Sequence, residues 1–121
     1  MSKLYKQFRK ALYDVVDLYG VVSIGAAGAP TIATGAFPGV ASISRTSAGL
    51  YVLTYQDNYT LLLNLKVMLA AAAAENLAFQ IISNSLTAKT ITFLCTAEGV
   101  AADPSNGSSL YIGVAVRLAT K

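Results

Sequence analysis

Residues 40–55 read VASISRTSAGLYVLTY, and this stretch decides the fold. Val40, Ser42 and Ser44 alternate with Ala41, Ile43 and Arg45, the two-residue period of a strand whose side chains point to opposite faces. Thr46-Ser47-Ala48-Gly49 then supplies small, turn-prone residues. The return run sets Leu50, Val52 and Thr54 on one face and Tyr51, Leu53 and Tyr55 on the other. Two such runs around a glycine-containing turn predict a β-hairpin. Gln56-Asp57-Asn58 follows and predicts a second hairpin turn, because Asp and Asn accept positive φ more readily than most residues.

Outward from this hairpin the same grammar continues. Short β-branched and aromatic runs at 21–24, 31–34, 61–69, 78–83, 90–96 and 110–118 are separated by turn residues. With 40–45 and 50–55 they make seven or eight strands, which predicts a mainly β chain folded as a single β-sandwich or jelly-roll-like domain. Leu61, Leu63, Leu65, Val67 and Leu69 alternate strictly and are expected on one strand face. Ala70–Ala74 and Glu75 favour helix by propensity, but a turn or loop fits the β surroundings better. Small side chains there would also permit close approach of another subunit. Ile91, Phe93 and Cys95 share a face, so Cys95 reads as a core residue rather than a reactive thiol. Asp103-Pro104 and Asn106-Gly107 read as turn pairs in a polar loop before the closing strand.

The first segment differs. Leu4, Phe8, Ala11, Leu12, Val15 and Tyr19 fall at three- and four-residue intervals, Ser2 stands at a capping position, and Gly20 stands where a helix would stop. This predicts an N-terminal amphipathic helix or arm over 1–19, ahead of a β domain over 20–121. Lys3, Lys6, Arg9 and Lys10 place four of the nine basic residues in the first ten positions with no acid among them. The remaining five basic and six acidic residues leave the rest of the chain at a net of −1. The arm is therefore either a solvated helix packed on its own domain or a docking element that seeks an acidic partner.

Composition excludes much chemistry. Charged residues are 12% of the chain and hydrophobic residues 55%, which excludes a disordered tail and points to surface covered by a partner. With no histidine and one cysteine, Ser-His-Asp and Cys-His sites, a Cys/His zinc site and an intrachain disulfide cannot form within the chain. No carboxylate pair, phosphate loop or nucleotide-binding glycine pattern stands out, so neither an enzyme nor a cofactor is expected. The basic arm has no matching basic patch in the β body, so nucleic-acid binding is not favoured. Gly and Pro interrupt the uncharged run 18–44, and the longest purely apolar run is eight residues, so neither a membrane span nor a signal peptide is expected.

The run Gly39-Val40-Ala41-Ser42-Ile43-Ser44-Arg45-Thr46-Ser47-Ala48-Gly49-Leu50-Tyr51-Val52-Leu53-Thr54-Tyr55 resembles a G-V-x-S-V-x-R-x-x-x-G-x-Y-x-V-x-F pattern of small tailed-phage virion proteins. It departs from that pattern at Ile43, Leu53 and Tyr55 by conservative changes. Thr90-Ile91-Thr92-Phe93 and Ala101-Ala102-Asp103-Pro104 before a final strand are similar to the same group. The resemblance implies a capsid decoration (cement) protein or a head-fibre component, built on a compact β domain and assembled as a homo-oligomer, a trimer by preference.

On that reading the partner is the major capsid protein and the location is the outer capsid surface of a virion, after synthesis in the host cytoplasm. Lys3, Lys6, Arg9 and Lys10 would steer the arm while Leu4, Phe8 and Leu12 supply its buried contact, either on the shell or on a neighbouring subunit. The alternative is a receptor- or glycan-binding head-fibre or tail-fibre module. It would use exposed tyrosines among Tyr51, Tyr55, Tyr59 and Tyr111, which otherwise read as sandwich core or subunit interface. A DNA-associated virion protein is a third reading.

Overall fold

The computed structural model describes residues 15–118. Among the described residues nine strands carry the fold: β1 (Val15–Ile24), β2 (Pro30–Thr31), β3 (Val40–Ser47), β4 (Leu50–Tyr55), β5 (Tyr59–Ala70), β6 (Leu77–Ser85), β7 (Thr90–Ala97), β8 (Val100–Ala101) and β9 (Ser109–Leu118). They form two antiparallel sheets, one in the order β2-β1-β9-β5 and the other β3-β4-β7-β6 with β8 beside β7. The chain is a β-sandwich, as the alternating runs predict.

The two-residue period builds the core directly. Tyr51, Leu53 and Tyr55 of β4, Ile91, Phe93 and Cys95 of β7, and Leu110, Ile112, Val114 and Val116 of β9 all turn inward and are buried. Leu18, Val22 and Ile24 of β1 meet them from the same sheet as β9. The Tyr51 and Phe93 rings stack with centroids 5.6 Å apart, and Phe79 tilts onto Phe93 at 6.4 Å. Fully burying each such side chain is worth about 1.5–3 kcal/mol, the main force holding the sheets together.

Several features differ from the sequence expectations. Residues 15–19 are strand, continuous with 20–24, so the expected helix does not extend over them and the boundary at residue 20 falls inside β1. Gly20 does not stop a helix. It pairs with Ile112 in mid-strand, and a Cβ there would lie 2.1 Å from Cγ of Phe37, whose buried ring fills the space a side chain would occupy. The remainder of the expected arm, residues 1–14, lies outside the described residues.

The turn at 56–58 does not close a hairpin. β4 already has β3 on one side and β7 on the other, so β5 has no edge to pair with and crosses to the other sheet beside β9. Of the expected strand 31–34 only Thr31 is in a strand, in β2, and the expected polar loop at 98–109 contains β8. In β5 a register shift between Leu62 and Asn64 breaks the strict alternation. Leu65, Val67 and Leu69 pack against the core, but Leu61 and Leu63 turn out to solvent and Leu62 takes their place inward. The alanine run 71–74 is a connection without helix or strand, as expected from its surroundings.

Gly20→Ala is expected to cost about 1–3 kcal/mol by overpacking against Phe37. In a Phe37→Ala background the same change should cost distinctly less, as denaturant unfolding of the double-mutant cycle would show. Additive costs would remove this account of Gly20.

Candidate functional site

A hydrogen-bonded polar cluster gathers around Asp103. Arg45 of β3 clamps its carboxylate with both ends of the guanidinium, Nε to Oδ1 at 2.9 Å and Nη2 to Oδ2 at 2.8 Å. The backbone N–H of Gly49 donates to Oδ1 at 2.8 Å. The buried Tyr51 hydroxyl donates to the Gly28 carbonyl at 2.9 Å and lies 3.3 Å from Oδ1. Gly49 is required at its turn: its φ is +73°, and a Cβ would sit 2.4 Å from the Cys95 carbonyl oxygen.

The electrostatics follow from these contacts. The Arg45 hydrogen bonds hold the Asp103 carboxyl below the usual carboxylate range, helped by the Gly49 N–H and opposed by partial burial. Burial raises the Tyr51 phenol, with the Asp103 charge adding to it. Burial likewise pushes the Cys95 thiol up to about 11, so it stays protonated at neutral pH and behaves as a core residue. The acceptors of this cluster are taken by donors of the same chain, and its chemistry is that of a clamp. Among the described residues no group of three or more His, Cys, Asp or Glu side chains is placed to hold a metal ion.

The tyrosines separate sharply. Tyr51, Tyr55 and Tyr59 are core residues, with the Tyr55 and Tyr59 rings tilted at 5.1 Å. They are not surface aromatics in this fold. Their inward register on β4, or at the start of β5, spends their rings on the space between the sheets. Tyr111 is 53% exposed on the outer face of β9. There Tyr19, missed by the sequence reading because it was placed on a helical stripe, stands 68% exposed beside Gly113. Together with Met68 they wall a groove of about 560 Å³ on the outer face of the β1-β9-β5 sheet. Lys3, Leu4, Lys6, Phe8, Arg9, Lys10 and Leu12 lie outside the described residues.

A second surface was also missed. β5 and β6 are the outer strands of their respective sheets, and the described residues place no strand beyond either. They flank a cleft of about 350 Å³ on one side of the sandwich. Leu61 and Leu63 of β5 and Ile81 and Ile82 of β6 stand exposed on these strands. Leu63 and Ile82 are the extra residues at two register shifts, where a bulge turns a side chain away from its period-two position. No charge occurs in β6 and only Lys66 in β5. The remaining outer strand of that sheet, β3, exposes Ala41, Ser42, Ser44, Thr46 and Ser47 instead.

No protein-family model, curated protein or solved structure matches the chain. Among the described residues no helix is long and apolar enough to cross a membrane.

Stability is expected to fall in acid through Asp103. Its folded-state pKa is depressed, so the stabilisation is complete well above the unfolded value near 3.9 and is lost from about pH 5 downward. Urea unfolding at pH 7, 4 and 3 should show this slope, and Asp103→Asn should flatten it while lowering stability at pH 7. An unchanged acid limb in Asp103→Asn would count against the clamp.

Proposed function

We propose that the chain is a structural virion protein, a decoration protein that binds the outer surface of a tailed-phage head as a homo-oligomer and stabilises it. The observation that carries this reading is the aliphatic side formed by β5 and β6. Clustered aliphatic side chains left in water mark surfaces that are covered in working proteins. An interface core stripped of charge is typical of permanent assembly rather than brief encounter. The low overall charge of the chain supports the same conclusion.

The resemblance of residues 39–55 and of Asp103-Pro104 to small virion proteins supplies the setting, with the major capsid protein as the second partner. The basic segment at residues 1–12 supplies the other contact of the assembly, with Lys3, Lys6, Arg9 and Lys10 as its charges and Leu4, Phe8 and Leu12 as its apolar side. A non-enzymatic role fits a chain without histidine whose best-formed polar cluster is occupied internally. The alternative receptor- or glycan-binding reading is less well served, since Tyr51, Tyr55 and Tyr59 are buried and only Tyr111 of that set reaches solvent.

Co-sedimentation with capsids lacking the protein, at low and moderate salt, tests the reading. Saturable binding at a fixed ratio to the major capsid protein is the expected result, weakened by salt and by deletion of residues 1–12. Absence of binding would favour the receptor module. Independently, Leu63→Asp combined with Ile82→Asp is expected to shift the mass in light scattering from a multiple of the chain towards 12.6 kDa. The folded-state circular dichroism should persist, because both side chains already face solvent.

A further inference from the structure

The outer flank of β1 is the remaining feature that neither the core nor the β5–β6 side explains. β2 pairs with β1 only at Ser23 and Ile24, and the Val21 N–H donates to the Ala36 carbonyl. By the alternation of an antiparallel strand, the backbone groups of Tyr19 and Asp17 point to the same side as those of Val21. Among the described residues no strand pairs with them there. A depression of about 450 Å³ runs along this edge with Asp17 and Asp57 in its walls. It continues past Tyr19 and Pro38, which belong to both hollows, into the apolar groove walled by Tyr111 and Met68. The track is therefore acidic at one end, apolar at the other, and bordered by an open sheet edge. Among the described residues Lys66 is the cation lining these two hollows, and with Asp17 and Tyr19 it also lines a smaller hollow on the same face.

We propose that this track receives residues 2–12 of a second copy of the chain. The inference rests on the reading of the basic segment as a docking arm and names the surface that takes it. Charge complementarity selects the occupant: the segment carries Lys3, Lys6, Arg9 and Lys10 with no acid before Asp14, against Asp17 and Asp57. Leu4, Phe8 and Leu12, interspersed among those charges, supply apolar side chains for the groove walled by Tyr19, Tyr111 and Met68. The described part of β1 starts at Val15, paired with Arg117 near the end of β9, and the reach of the residues before it extends to a neighbouring copy. Fourteen residues span at most about 45–50 Å when extended, enough to reach an adjoining copy of a small sandwich.

Disulfide trapping on full-length protein, without capsids, tests this. One chain carries Phe8→Cys and a size tag, the other Met68→Cys; native Cys95 is buried and does not compete. Mild oxidation is expected to link the two chains, and to link Phe8→Cys with Ser44→Cys on the polar β3 edge far less. Asp17→Lys with Asp57→Lys should lower the trapped yield about threefold or more, the scale of losing two exposed ion pairs. If Met68→Cys fails to fold, Tyr111→Cys across the same groove replaces it. No link, equal links to both positions, or a link formed only inside a single chain carrying both cysteines would each overturn the proposal. Trapping without capsid binding would overturn the decoration reading alone; capsid binding without trapping would overturn the clasp alone.

Discussion

The carboxylate of Asp103 is the point on which the sandwich closes. It lies in the connection between β8 and β9, yet it grips Arg45 on β3, the N–H of Gly49 at the β3–β4 turn, and the neighbourhood of the Tyr51 hydroxyl on β4. Tyr51 carries the link on to Gly28, in the turn after β1. One side chain thus ties the hairpin of one sheet to the segments that enter and leave the other. A hydrophobic core alone is non-directional and sets no relative position for two sliding sheets. A bidentate, charge-assisted contact does, because its geometry is met at one position only. β9, the central strand that pairs with both β1 and β5, begins six residues after this anchor.

That cluster also explains what the sequence motif encodes. Arg45, Gly49 and Tyr51 of the 39–55 run and Asp103 of the 101–104 run meet in space around one carboxylate. Three of the four sit in one hairpin, so local spacing made them visible. Their convergence on Asp103 was not legible, because 52–58 residues separate the partners and an Asp-Pro pair reads equally well as a solvated turn. Strand existence was legible nearly throughout, since the core residues of β4, β7 and β9 keep an unbroken period of two. What escaped were the places where the period fails. The bulge that exposes Leu63 inserts one residue and leaves no mark in composition. Val15 and Tyr19 satisfy a helical spacing and a strand spacing alike, and the long-range pairing of residues 15–19 with Gly113–Arg117 of β9 decides between them.

The surfaces of the molecule divide its low charge unevenly. β3 presents hydroxyls, β5 and β6 present aliphatics, and the flank of β1 combines two carboxylates with an aromatic wall. Hydroxyls are thus concentrated on one edge, and the other two differ in chemistry, one aliphatic and one with carboxylates beside aromatic rings.

The bulges in β5 and β6 have a further effect on growth. A flat, uninterrupted edge lets each arriving copy offer the next one the same template, and strands then accumulate without limit. Interrupting the row of donors and acceptors at Leu63 and at Ile82 twists each edge away from a straight ladder, so the aliphatic side chains remain available while the template does not propagate.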